Sequence, residues 1–96
     1  MNKFGELLRS KRETKQLLLR HVAAELDIDT AMLSKIERGE KIAKHEFIEQ
    51  LARLLEINCD ELFSLWLADQ IFRLVENKEQ ALNALRIVEN EIKTRV

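Results

Sequence analysis

Ninety-six residues hide roughly 60–70% of the surface that their unfolded chain exposes, enough for one modest core but not for a large multidomain enzyme with a cofactor cavity and a catalytic cleft. One cysteine, Cys59, rules out an internal disulfide, and two histidines distant from it in sequence do not make a zinc site, so neither metal nor cofactor is expected. The net charge of −1 conceals a segregation: residues 1–45 hold ten Lys and Arg against seven Asp and Glu (+3), residues 46–96 six against ten (−4).

Apolar residues recur three and four apart and nowhere alternate over a useful length, so the fold class is expected to be all-α. Phe4, Leu7 and Leu8 mark the buried stripe of a first helix, with Asn2 as N-cap and a basic end at Arg9, Lys11, Arg12 and Lys15. A second helix runs from Leu18 or Leu19 to Leu26, with Val22, Ala23 and Leu26 inward. Asp27, Ile28 and Asp29 connect it to a third, Thr30 to Arg38, with Leu33 and Ile36 inside, Asp29 as N-cap and Gly39 as C-cap. A fourth covers Lys44 to Leu55, and Asn58 with Glu61 resembles a capping box for the next. From there ten apolar residues, including Leu62, Trp66, Ile71 and Phe72, fall within fourteen positions, more than one buried stripe needs. The last helix, from Asn77 with Gln80 as a second box-like start, carries Ala81, Leu85, Val88 and Ile92 at spacings of 4, 3 and 4. No run approaches the roughly eighteen apolar residues of a membrane span, and MNKFGELLRSKRE lacks an apolar leader, so a cytoplasmic protein is expected.

Function shows in Leu17 to Gly39, LLLRHVAAELDIDTAMLSKIERG. Two short helices joined by about three residues, with small Ala23 at their crossing, present the second as a rod that fits the major groove of B-form DNA. Projecting at 100° per residue with Leu33 and Ile36 inward puts Ala31, Ser34, Lys35 and Arg38 outward, flanked by Thr30 and Met32. No nucleophile, base and orienting group are recognisable, so no enzyme is expected.

LSKIERG (Leu33 to Gly39), the basic turn after it and FIEQLARLLEINCDELF together resemble the XRE family of helix-turn-helix regulators, the Cro and cI-type repressors, over residues 4 to about 65. The resemblance implies a five-helix, lambda-repressor-like domain in residues 1–65; residues 66–96 are expected to form a C-terminal helical dimerisation extension. It implies that Thr30, Ala31 and Lys35 read base edges and that Ser34 and Arg38 touch bases or phosphates. Lys41 and Lys44 are expected to grip phosphate, and Arg12 and Glu37 to form a structural salt bridge. Such phosphate contacts set register without reading sequence.

Three departures from the family pattern involve four positions. Leu18 and Leu19 stand where Ser or Thr and then Gln are common, and Arg20 is the expected replacement for the lost phosphate contact. Asp27 replaces a turn glycine, which Asp tolerates at some cost, and Ala43 replaces a frequent proline.

Two features keep a second reading. Ala31 and Met32 are apolar and could pack against protein, and with Leu18 and Leu19 they suggest an interaction module that has lost DNA binding. Trp66, Phe72 and their neighbours either seal the bottom of the monomer or form a two-fold interface with the last helix. The interface is favoured because so short a chain has little left to cover them, and a homodimer through Trp66, Ile71, Phe72, Leu85 and Val88 is expected. The leading expectation is a dimeric, sequence-specific double-stranded DNA-binding transcriptional regulator on a palindromic operator, similar in size to restriction-modification controllers, phage-type repressors and antitoxins.

Overall fold

A computed structural model describes residues 1–95; Val96, the end of the expected extension, lies outside them. Among the described residues there are six helices and no strand: α1 (Lys3–Thr14), α2 (Leu19–Glu25), α3 (Thr30–Glu37), α4 (Phe47–Leu55), α5 (Cys59–Val75) and α6 (Ala81–Thr94). The all-α expectation holds.

One device ends each of the first four helices. A left-handed residue follows each within two positions, Gln16 (φ 58°), Asp27 (56°), Gly39 (75°) and Glu56 (56°). The next amide then turns back onto the helix: Leu17 N–H to Arg12 O (3.0 Å), Ile28 to Ala23 (3.0 Å), Glu40 to Lys35 (2.8 Å) and Ile57 to Ala52 (2.9 Å). These are Schellman-type ends, which satisfy orphan carbonyls and return the chain toward the core. Leu17, Ile28 and Ile57 are the apolar residues such an end presses inward, and all three pack on the core. Gly39 and Asp27 match the expectation, while Gln16 and Glu56 carry no sequence signal for this backbone.

Phe4, Leu8, Val22, Leu33, Ile36, Ile48, Leu51, Leu55 and Leu62 form one core drawn from α1 to α5. The first turn of α1 is closed from two directions. Asn2 Oδ1 accepts from Gly5 N–H (3.2 Å), and the buried Asp69 of α5 accepts from Lys3 N–H (3.0 Å) and Phe4 N–H (2.8 Å). Asn2 Nδ2 also donates to Glu37 O (2.8 Å), drawing the end of α3 onto α1. A Cβ at position 5 would lie 2.4 Å from that same Glu37 oxygen, so only glycine permits this approach.

Two expected helix starts are corrected. α4 begins at Phe47 rather than Lys44, because Phe47 N–H bonds to Lys44 O (3.0 Å) and Ile48 N–H to His45 O (3.1 Å), tight i→i+3 turns that precede the helix. α6 begins at Ala81, and Gln80 makes no side-chain cap. Successive turns, Lys78 N–H to Val75 O (2.9 Å) and Ala81 N–H to Lys78 O (3.2 Å), occupy the segment where Asn77 was expected to start the helix. The box expected at Asn58 is half present: its Oδ1 accepts from Glu61 N–H (2.9 Å).

Candidate nucleic-acid interface

Asp29 Oδ1 accepts from Met32 N–H (2.7 Å) and starts α3 as a cap. Inward, α3 buries Leu33, Ile36 and Glu37; outward, it exposes Thr30, Ala31, Lys35 and Arg38, with Ser34 recessed between them. Met32 is half-buried against the core instead of standing on that face. The helical projection therefore found Ala31, Lys35 and Arg38 outward and Met32 on the flank, while Ser34, projected outward, is half-buried.

The face is held by the ion pair that the resemblance implied. Arg12 Nε and Nη2 donate to the two Glu37 carboxylate oxygens at 2.8 and 3.1 Å, and Nη1 donates to Leu17 O (2.9 Å). The Glu37 hydrogen bond holds the Arg12 pKa above its ordinary value despite desolvation. This fork ties α3 to both ends of the α1–α2 connection. Arg38 is engaged too, donating to Ser34 Oγ and pairing with Glu40. The hydrogen bond from Arg38 lowers the Glu40 pKa, so a carboxylate stands at the edge of the outward face of α3. Glu40 was missed by sequence reasoning, although its place two residues past Arg38 was a signal for it.

A family model described as a helix-turn-helix domain matches residues 3–65. The chain belongs to the helix-turn-helix domain family. No curated protein and no solved structure matches it. Helix-turn-helix domains are typically DNA-binding and not enzymes, and the match supports DNA-binding regulation here. No helix among the described residues is long and apolar enough to cross a membrane.

The other cations of the helix-turn-helix domain differ in their freedom. Arg20 is exposed early in α2, whose first turn is closed by His21 Nδ1 accepting from Leu18 N–H (3.2 Å). Lys15, at the basic end of α1, is tied to Glu56 at 2.8 Å, and its hydrogen bond lowers the Glu56 pKa. Lys41 and Lys44 are exposed on the segment between α3 and α4, with Lys44 Nζ 5.9 Å from the centre of the Phe47 ring. They flank a cleft of about 340 Å³ lined by Ile28, Met32, Ile36, Ile42 and Phe47.

Behind that segment lies α5. Trp66, expected at a subunit interface, donates its indole N–H to Ala43 O (2.9 Å) and packs beside Phe63 and His45, with ring centres 5.6 Å from each. Arg73 Nη2 donates to Gly39 O (2.8 Å). Sequence reasoning missed Asp69 and Arg73, though polar residues inside an apolar run were a signal that partners exist. Ile71, Phe72, Leu85 and Val88, expected at the same interface, are exposed.

Proposed function

We propose that this protein is a sequence-specific double-stranded DNA-binding transcriptional regulator of the XRE type, working as a homodimer on a palindromic operator. The observation that carries the reading is the outward face of α3, where Thr30, Ala31, Lys35 and Arg38 stand together in solvent on a helix locked from behind by Arg12 and Glu37. Thr30, Ala31 and Lys35 read base edges, Ala31 against a thymine methyl and Lys35 toward guanine. Ser34 and Arg38 reach bases or phosphates once Arg38 exchanges Glu40 for the duplex. Met32 flanks the face from below, and Arg20, Lys41 and Lys44 grip the phosphates on either side.

In this reading α1 to α5 take the five-helix, lambda-repressor-like layout, residues 1–65 hold the DNA-binding domain, and residues 66–96 supply the dimerising extension. α5 runs unbroken through that boundary, so the two parts share a helix. A second copy covers the apolar surface that the monomer leaves in water: Ile71 (45% exposed), Phe72 (40%), Leu85 (37%) and Val88 (52%). Two α3 helices one helical turn apart on DNA multiply the few base pairs that one can read. The size suits a restriction-modification controller, a phage-type repressor or an antitoxin.

The test is binding to mixed-sequence duplexes as salt is raised. A reader making several phosphate contacts loses affinity steeply, with a slope of about −0.9 per contact. No measurable duplex binding even at low salt would overturn the proposal in favour of an interaction module built on the same fold.

A further inference from the structure

The structure assigns to Trp66 and Arg73 a positioning role: from behind, they hold the two ends of the segment that presents Lys41 and Lys44 to phosphate. The assignment rests on the DNA-binding reading above. Neither residue lies within the matched helix-turn-helix region, which ends at Leu65.

The need for such a hold is visible in the backbone. Among the described residues, the amides of Lys41, Ile42, Ala43 and Lys44 donate no hydrogen bond within the chain, and the turn that Phe47 N–H closes on Lys44 O begins only at the last of them, so no ladder shapes residues 41–43. It is anchored instead by the buried Ala43 side chain and by two carbonyls. Gly39 O takes the Arg73 guanidinium at 2.8 Å and Ala43 O the Trp66 indole at 2.9 Å. The donors fall on one stripe of α5 with Leu62 and Asp69, at spacings of 4, 3 and 4. Leu62 is fully buried in the core and Asp69 closes the first turn of α1, so the stripe is fixed to the domain at both of those points.

Peptide geometry converts the hold into orientation. Carbonyl and amide of one trans peptide point in opposite directions, and there is no cis peptide bond among the described residues. With Ala43 O drawn toward Trp66, the amide of Lys44 on the same peptide plane is turned away from α5. The segment thus offers a free backbone donor beside the Lys44 ammonium, a pairing suited to a phosphate oxygen.

Trp66→Phe removes the indole donor and keeps an aromatic ring. In the full-length chain it should weaken binding to a duplex selected by the wild type and to a scrambled duplex alike, by about three- to tenfold, the loss of one hydrogen bond. The preference between the two duplexes should stay unchanged, as should the sedimenting mass, while hydrogen exchange quickens at Glu40, Phe47 and Ile48, the bonded amides on either side of the segment. Arg73→Met should act in the same direction, and Arg73→Lys, which keeps a donor, should recover part of the loss. In the wild type the single indole N–H resonance should shift on duplex binding, since Trp66 is the only tryptophan. Wild-type affinity with unchanged exchange in Trp66→Phe overturns the assignment, as does a loss of affinity that tracks a halved sedimenting mass. If the wild type itself binds no duplex, the DNA reading falls, and exchange at Glu40, Phe47 and Ile48 in Trp66→Phe still decides whether the hold exists.

Discussion

Helices α4 and α6 are written in the same pattern, with apolar residues three and four apart, yet they meet opposite fates. α4 buries Phe47, Ile48, Leu51, Ala52 and Leu55, whereas α6 buries nothing. Leu51 has no exposed surface, while Leu82 and Ile87 are 68% and 70% exposed. α4 lies against both α1 and α5, whereas α6 contributes Leu85 to an apolar cleft of about 260 Å³ lined also by Met1, Ala68, Ile71, Phe72 and Val75. The difference teaches that periodicity says a face is meant to be covered and leaves open what covers it.

The comparison can be broken most directly by truncation on each helix. Leu51→Ala should lower the unfolding free energy by about 2–5 kcal/mol, by lost transfer energy plus a cavity. Val88→Ala should stay within about 0.5 kcal/mol at concentrations low enough for monomers. Urea titrations of the two check this, and equal losses would mean that α6 is part of the monomer core. Glu37→Leu should cost about 3 kcal/mol in the same titration, because it strands Arg12, whose side chain is only 12% exposed, without a counter-charge.

Smaller effects sharpen the contrast between the reading face and the apolar end. Leu85→Asp with Val88→Asp should halve the sedimenting mass and weaken duplex binding while leaving the helical content of α1 to α5 intact. Lys35→Ala should flatten the preference between duplexes by up to about tenfold, a fraction of the 1–3 kcal/mol of a bidentate base contact. Lys44→Ala should instead weaken every duplex similarly and reduce the salt slope by about one, as a phosphate contact does. Smallest, Asp27→Gly should stabilise the protein by up to about 1 kcal/mol in thermal or urea unfolding, since glycine adopts the φ of 56° without the penalty of a Cβ.

Much of the reading half was legible beforehand because its signals are local. Asn2, Asp29 and Asn58 cap the helices that follow them, and a cap acts within three residues. The outward set on α3 follows from its helical period once Leu33 and Ile36 are placed inside. Contacts between residues far apart in sequence were less legible. Asp69 closes α1 from 65 and 66 positions away, and Arg73 reaches Gly39 across 34. Gly5 reads as an ordinary helix residue until α3 is laid against it. Trp66 looks like part of an apolar surface, because composition does not reveal that its indole edge has a carbonyl to bond. Met32 lies on the flank of α3, where only the neighbouring Ile28 and Ile42 decide whether it faces solvent or the cleft.

By itself the sequence determined that this protein is helical, where four of the six helices described start, which side of each is apolar, and most of the residues that α3 turns outward. Those properties follow from backbone periodicity and from caps that act over a few residues. Only the tertiary structure decided that α5 works on both sides. One stripe of it holds α1 and the segment bearing Lys41 and Lys44, while Ile71 and Phe72 on the same helix remain in water. The physical reason is that hydrogen bonds and burial depend on what lies opposite a side chain, and for α5 that is chain more than twenty residues away.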